Sequence, residues 1–364
     1  MFAKKEVERG TRFPSVSFWH RLTPRHCPAK TILRVKRILI TGGGGYIGSV
    51  LTRKLLKLGY EVVVIDTFMF TDVGLKELRH QPLLSVVNAD IREVGRLRES
   101  LAGVDFVIHL AAIANDPAAE LDPQLTRQVN LESYPPLLDE AVKAGVERFI
   151  NISSIGVYGI NFSNNVTEED SLNPLTEYAV CKAKSEEVVR QYNGKLTTVN
   201  LRCGTVCGWS PRMRFDLSTN TLTAYAIVNR KLSVWGGEQR RPQIHLEDMT
   251  DFVIGLLTVA REKIGGQTFN AAGYNISVME IAKVIKNEVD GDLELVSAPP
   301  RDDERTYHVN SDKISSQLGF KMKREIRDAV ADIIRAHDKG FWKNPDDVIY
   351  HNIKVMRAME RSVL

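Results

Sequence analysis

Tyr178 and Lys182 stand four residues apart in the run Tyr178–Ala179–Val180–Cys181–Lys182. Glu177 to Gln191 contains neither Gly nor Pro, so a helix there stacks the two side chains on one face. A phenol ionises near pH ~10 in water, too high for a base at neutral pH. A nearby ammonium favours the phenolate and lowers that value. A tyrosine tuned in this way can take the proton of a carbinol hydroxyl while hydride leaves the same carbon. Such a pair is commonplace by itself and gains meaning only beside a hydride acceptor.

The sequence offers a place for one. Ile38–Leu39–Ile40–Thr41–Gly42–Gly43–Gly44–Gly45–Tyr46–Ile47–Gly48 reads as a strand, a glycine turn and the start of a helix. The glycines at Gly42, Gly45 and Gly48 allow a tight turn and close approach of a pyrophosphate. The helix N–H groups from Tyr46 and Ile47 onward, with the helix dipole, favour its negative charge. A second strand ends at Asp66, about 20 residues on. A carboxylate there accepts hydrogen bonds from ribose hydroxyls and repels a 2′-phosphate, and no Arg follows within several positions. The expected cofactor is therefore NAD and not NADP.

These groups need a scaffold, and the spacing of apolar runs supplies it. Strands are expected at Val35–Thr41, Glu61–Asp66, Leu84–Ala89, Phe106–Leu110, Phe149–Ser153 and Thr198–Arg202. Segments of helical period lie between most of them, among them Tyr46–Leu58, Val94–Leu101 and Leu137–Ala144. Continuous apolar strands alternating with helices imply an α/β fold: a doubly wound parallel sheet of Rossmann type, with the ligand at the carboxyl ends of its strands. Pro135–Pro136 should kink or restart the helix before Leu137. The expected organisation is a dinucleotide-binding domain over residues 35–202 and a smaller substrate-binding lobe over 203–342. Residues 236–270 partly return to the sheet, near His245, and 343–364 form a polar C-terminal extension.

Composition narrows the function classes. Apolar residues make up 43% of the chain, enough for a substantial core. The formal charge of +4 is uneven: residues 1–37 carry ten Lys/Arg against Glu6 and Glu8, leaving 39 basic and 43 acidic residues in the remainder. A mildly acidic body without a basic stripe argues against nucleic acid. The basic segment 1–34 lacks an apolar stretch for a secretory signal, and Pro14, Pro24 and Pro28 interrupt any amphipathic helix, so an unstructured extension is expected. No run of ~18 apolar residues exists to span a membrane. Cys27, Cys181, Cys203 and Cys207 are too few for a disulfide framework, and Cys203 and Cys207 lack the partners of a zinc site. Reduced thiols in the cytoplasm and no bound metal are expected.

Taken together, Thr41–Gly42–x–x–Gly45–x–x–Gly48, Asp66, the later Tyr178/Lys182 pair and Ser153–Ser154–Ile155–Gly156–Val157–Tyr158–Gly159 resemble the extended short-chain dehydrogenases, the group of nucleotide-sugar epimerases and dehydratases. The resemblance runs from about Lys36 to Phe320. It implies further cofactor contacts at Asp90 and Ile91, in the His109–Leu110–Ala111–Ala112 segment, at Asn130 and at Ser153. It assigns Ser154 to a hydrogen bond with the reacting sugar oxygen, beside Tyr178 and Lys182. Arg241, four before His245, matches a diphosphate-binding position, as does Arg305 within Arg301–Asp302–Asp303–Glu304–Arg305; for the latter a solvated charged loop is the equal alternative. Asn220 is a candidate substrate amide, and Thr205 stands where relatives carry a substrate-contacting Asn. Pairing of two chains through residues 124–145 and 177–192 is also implied.

Small departures bear on the chemistry. Dehydratases of the group place Asp-Glu after the Ser/Thr, and its decarboxylases keep a Glu there. Here those positions are Ile155 and Gly156, which carry no proton. A 4-epimerase or a 4-keto-sugar reductase remains, and NAD favours the epimerase because its hydride is recycled. A non-catalytic NAD-binding scaffold is the reading from another class; retention of Ser154, Tyr178 and Lys182 argues against it. Leu201–Arg202–Cys203–Gly204–Thr205–Val206–Cys207–Gly208 replaces two aromatics and the Asn of relatives, so the particular sugar is not carried over.

Overall fold

In the first strand, Ile38 and Ile40 point to one side and Leu39 to the other, and all three are fully buried, which only a sheet covered on both faces permits. The structure, a computed structural model, describes residues 34–161, 163–235, 237–289, 291–298 and 308–363. Its strands are β1 (Arg37–Thr41), β2 (Glu61–Asp66), β3 (Leu84–Asn88), β4 (Phe106–His109), β5 (Arg148–Ser154), β6 (Thr197–Cys203), β7 (Thr205–Cys207), β8 (Lys231–Trp235), β9 (Arg240–His245), β10 (Gln267–Ala271), β11 (Tyr274–Ser277) and β12 (Glu294–Ala298). Its helices are α1 (Tyr46–Lys57), α2 (Val94–Ser100), α3 (Asp116–Ala119), α4 (Pro123–Arg127), α5 (Tyr134–Lys143), α6 (Glu177–Gln191), α7 (Ser218–Asn229), α8 (Leu246–Leu256), α9 (Arg261–Ile264), α10 (Val278–Glu288), α11 (Asp312–Leu318), α12 (Ile326–Asp338) and α13 (Asn352–Val363).

Seven strands form the main sheet in the order β10-β6-β5-β4-β1-β2-β3, every neighbour parallel. Helices α1 and α8 cover one face through Leu51, Leu55, Phe252 and Leu256. Helices α2 and α5 cover the other through Leu97, Leu137, Leu138 and Ala141, joined by Val189 of α6. Strand order reverses between β1 and β4, the place where such sheets open a crevice for a ligand. The expected α/β doubly wound sheet is therefore the fold. Pro135–Pro136 fall in the first turn of α5, after a π-helical turn over Gln128–Glu132, so the prolines begin a helix and do not kink one.

Two expectations need correction. The chain returns to the main sheet as β10, at Gln267–Ala271; the strand ending at His245, β9, lies instead in a small sheet of order β11-β9-β7. The segment beyond residue 342 is no mere polar extension, because Met356 of α13 is buried among Ile113, Ala118 and Ala119 next to α3. A separate core of α7, α10 and α12 with β8 includes Ala226, Ile281, Ile285, Val330 and Leu232.

Helix α6 is tied to the sheet by charge. Glu186 is fully buried and Arg202 of β6 nearly so, with Arg202 Nη2 2.7 Å and Nε 2.9 Å from the carboxylate oxygens Oε2 and Oε1. Ser153 of β5 donates to Glu186 Oε1 at 2.5 Å, and Arg202 Nη1 donates to the Tyr158 hydroxyl at 2.8 Å. Removing one member leaves the other charge buried and unpaired. Glu186→Ala is expected to lower stability by about 3–5 kcal/mol, and Glu186→Leu with Arg202→Met to recover much of the loss, in chemical denaturation.

Candidate active site

The crevice between β1 and β4 opens into a cleft of about 460 Å³. Its floor is the glycine loop. Gly42 has φ +71°, and a Cβ on Gly48 would sit 2.4 Å from the Gly42 carbonyl oxygen, so both positions require glycine. Thr41 Oγ1 lies 2.7 Å from His109 Nδ1 and also accepts from the N–H groups of Leu110 and Ala111, lashing the ends of β1 and β4 together. Burial and the Lys182 ammonium push His109 down to about 3, leaving a neutral imidazole.

Asp66 closes the adenosine end. Its two carboxylate oxygens accept from the backbone N–H groups of Gly44 at 2.9 Å and Phe68 at 2.8 Å, and each keeps capacity for a ribose hydroxyl. Burial pushes its carboxyl up against those two N–H groups, which lower it. Asp90 and Ile91 border the same end. Burial would raise Asp90, but Arg92 donates from its backbone and guanidinium and holds the carboxyl below its ordinary value. Leu110, Ala111 and Ala112 form the wall above β4. A glycine floor that cannot accept a Cβ, a helix N-terminus and an Asp aimed into the same cleft fit NAD.

Ser154, Tyr178 and Lys182 converge on the other end. Ser154 ends β5, and its Oγ accepts from Gly156 N–H at 3.1 Å. Thr176 caps α6 by accepting from Ala179 N–H, which sets Tyr178 in the first turn. Lys182 Nζ donates to the Ile152 carbonyl at 2.8 Å and lies 5.9 Å from the centre of the Tyr178 ring. Burial pushes the Tyr178 phenol up, with Cys203 and Asp116 adding to the rise and Arg214 opposing it. The protein's own groups thus favour the neutral phenol, and a positive nicotinamide ring would favour its ionisation.

Other expected residues fall differently. Ser153 borders the cleft but turns its hydroxyl to Glu186. Tyr46, Ile47 and Gly48 border the cleft, and the Tyr46 ring is turned inward, its hydroxyl donating to the Gly208 carbonyl at 2.6 Å. Thr205 and Arg241 line the same cleft as Ser154 and Tyr178. Asn130 does not reach the cleft; its amide pairs with the backbone N–H and C=O of Ile113, making it a positioning residue and not a cofactor contact. Asn220 is likewise corrected: it is fully buried, accepts from Gly208 N–H and spends both amide hydrogens on Tyr46 Oη and the Arg214 carbonyl, and it does not border the cleft. Arg305, with Arg301, lies outside the described residues.

The sequence reading missed Asn115, Asp116, Arg212, Arg214, Asp216 and Asn352, all of which border the cleft. Arg214 and Asp216 form a buried ion pair at 2.8 and 3.0 Å, and Asp216 also accepts from Asn115 Nδ2 and the N–H of Asn352. Asn115 sits at φ 78°, ψ 152°, a conformation that costs a side chain about 1–3 kcal/mol and is held by its cap on Ala118 and its bond to Asp216. One signal was present. In Arg212–Met213–Arg214–Phe215–Asp216 the apolar residues alternate with charges, and Met213 and Phe215 are core residues. Among the described residues there is no cluster able to hold a metal ion and no helix long and apolar enough to cross a membrane.

Comparison with known proteins agrees with this geometry. The profile of the NAD dependent epimerase/dehydratase family matches residues 38–272. The chain is 27% identical to a mouse (Mus musculus) dTDP-D-glucose 4,6-dehydratase over 86% of its own length and 92% of that protein's. It is 28% identical to a putative UDP-glucose 4-epimerase of Methanocaldococcus jannaschii, over 82% and 97% respectively. The crystal structure of the dTDP-glucose 4,6-dehydratase DesIV from Streptomyces venezuelae, which holds NAD, superposes with a TM-score of 0.76 at 26% identity, over 85% of this chain and all of that one.

Lys182 gives the site a pH signature. Burial lowers its ammonium to about 8, against the opposing influence of Cys203, Cys181 and Glu186. Charge that favours the Tyr178 phenolate is thus lost as pH rises through about 8, and kcat/KM should decline on an alkaline limb centred there. Stability moves oppositely. The unfolded chain keeps this proton to about pH 10.4, so between about 8 and that value the folded state binds fewer protons and stability rises with pH. Denaturation of the parent and Lys182→Met at pH 7 and 10 reads the difference: only the parent should gain from this group. A kcat/KM profile flat to pH 10 would show that Lys182 keeps its charge.

Proposed function

The chain belongs to the NAD dependent epimerase/dehydratase family, and from that premise we propose that it is a nucleotide-sugar 4-epimerase. The observation that carries this reading is the turn after Ser154. Where dehydratases of the group hold Asp-Glu, this turn holds Ile155, which is buried, and Gly156, which has no side chain. The carboxylates that border the cleft are otherwise engaged. Asp66 and Asp90 belong to the adenosine end, Asp216 is locked to Arg214, and Asp116 accepts from Thr176 Oγ1 at 2.7 Å. Tyr178 is left as the proton carrier for a single carbinol.

Bound NAD supplies a hydride acceptor that can return the hydride it takes. Ser154 holds the C4 hydroxyl by a hydrogen bond, and Tyr178 takes its proton as the C4–H bond breaks and the C=O bond forms. Lys182 keeps the phenolate favourable. Tyr178 would return the proton to the same oxygen once the keto sugar had turned its other face toward the nicotinamide site, and C4 would then be inverted. Arg241, facing the substrate end, suits the diphosphate of a nucleotide sugar. Asp66 favours the unphosphorylated dinucleotide.

Incubation with UDP-, GDP-, CDP- and dTDP-sugars tests the reading. The expected outcome is interconversion of C4 epimers with no net change in NADH absorbance, slowed about 10²–10⁴-fold in Tyr178→Phe. Net NADH consumption on a 4-keto sugar would make the protein a reductase, and loss of water from the sugar would make it a dehydratase. We place the enzyme in the cytoplasm, where Cys181, Cys203 and Cys207 remain free thiols. Helices α5 and α6 lie side by side, and we propose that they pair with those of a second copy. Light scattering on a sizing column should give twice the chain mass of 40.9 kDa, and a clean monomer would remove this pairing.

A further inference from the structure

We propose that Arg212, held in place by Asn352 of the C-terminal helix, is a pyrophosphate-binding cation of the dinucleotide site. The inference rests on cofactor binding and is independent of the 4-epimerase reading.

Arg212 is 2% exposed yet borders the cleft. Its stem and the glycine loop both pack on Gly74: a Cβ added there would meet the Gly44 carbonyl oxygen at 2.9 Å, the Ser49 Cβ at 2.9 Å and the Arg212 Cβ at 3.0 Å. The segment that carries it is stitched to the first turn of α1. Ser210 Oγ donates to the Tyr46 carbonyl at 2.8 Å and lies 3.0 Å from Ser49 Oγ, and Tyr46 Oη donates to Gly208 O. The smaller lobe thus delivers a guanidinium beside the helix terminus and glycine turn that suit a phosphate.

That guanidinium lacks a counterion of its own. Among the described residues no carboxylate reaches ion-pair distance; its neighbour Asp216 is committed to Arg214, and Asp66 acts on it only from farther away. Its bonding partner is neutral, Asn352 Oδ1 at 2.5 Å, and its flat face lies 5.2 Å from the Phe70 ring centre. Burial and the adjacent Arg214 pull its pKa down to about 10, the mark of a cation kept out of water without full compensation. A buried charge of this kind calls for an anion, and the dinucleotide supplies a diphosphate with two negative groups suited to a forked donor. The substrate carries a diphosphate as well, but Arg212 stands with Gly44, Asp66 and Phe70 at the adenosine end, whereas Arg241 serves the other.

Asn352 is the positioning residue. It opens α13, donates from Nδ2 to the Ala114 carbonyl at 3.3 Å and from its backbone to Asp216, and so fixes the rotamer of Arg212 against the wall above β4. The last helix of the chain thereby becomes part of the cofactor site.

Calorimetric titration of the full chain with NAD+ and, separately, with UDP decides the matter. Arg212→Met should raise the Kd for NAD+ about 10- to 100-fold, the loss expected for a charge-assisted bond, and leave the Kd for UDP within twofold. Arg212→Lys should fall between, because it keeps charge but not the fork. Asn352→Ala, which leaves the cation in place but frees it, should weaken NAD+ several-fold and serves if Arg212→Met does not fold. The ligand-free melting temperature of Arg212→Met should stay level or rise, since an uncompensated charge is removed. An NAD+ Kd unchanged in Arg212→Met and Asn352→Ala, or a loss confined to UDP, overturns the proposal. Because the decisive value is a binding constant read well below the melt, a change in stability alone cannot mimic it.

Discussion

Glu186 and Arg202 put opposite full charges where neither meets water, and their mutual geometry fixes the register between α6 and the sheet. Tyr178, Lys182 and Glu186 are spaced by four along α6, so they form one stripe on one helix face. Anchoring the lower end of that stripe to β6 aims the upper end at the mouth of the crevice. The same carboxylate draws in the hydroxyl of Ser153. Successive side chains of a strand point to opposite sides, so turning Ser153 toward Glu186 turns Ser154 into the cleft. One buried interaction therefore sets three functional side chains at once, and a rotation of α6 by a single residue would displace all of them.

Those parts were legible in the sequence because their causes are local. The β1 run is apolar on every residue from Ile38 to Ile40, which only a doubly covered strand accommodates, and the observed strand ends at Thr41 as the glycines require. Helix α6 begins at Glu177 and ends at Gln191, the span its lack of Gly and Pro marks out. The glycine pattern is legible for a steric reason, since a methyl at Gly48 would collide with the Gly42 carbonyl. Asp66 follows from strand length alone: it is the last residue of β2, and the carboxyl ends of parallel strands face the ligand.

The misses have non-local causes. Asn220 has the donor and acceptor chemistry of a substrate amide, but the fold buries it to join α1, the Gly208 turn and Arg214, a placement that no linear spacing announces. Asn130 is consumed by Ile113 in the same way. The strand ending at His245 lies between β11 and β7 in the small sheet, a pairing made by Tyr274–Ser277 and Thr205–Cys207 that no linear spacing announces. Residues 347–363 looked like a polar tail because Val355 and Met356 are the buried apolar residues of α13, and the partners of Met356, Ile113, Ala118 and Ala119, lie far away in sequence.

The two features hardest to read, α13 and Arg212, share a physical logic with the catalytic pair. Lys182 and Arg212 are both cations buried without a matching carboxylate, one at each end of the cleft, and burial lowers the pKa of each. Keeping either charge there opposes folding, so neither is explained by the stability of the empty protein. Each is favoured by an anion: the Tyr178 phenolate once it forms beside Lys182, and a diphosphate beside Arg212. Ligand binding and stability are then coupled, because a dinucleotide that binds only the folded chain adds its free energy to the fold. Helix α13 belongs to that coupling through Met356, which packs in the cluster that Tyr178 also touches, and through Asn352, which holds Arg212. Helix α13 thus connects the two ends of the cleft at which a cation is buried.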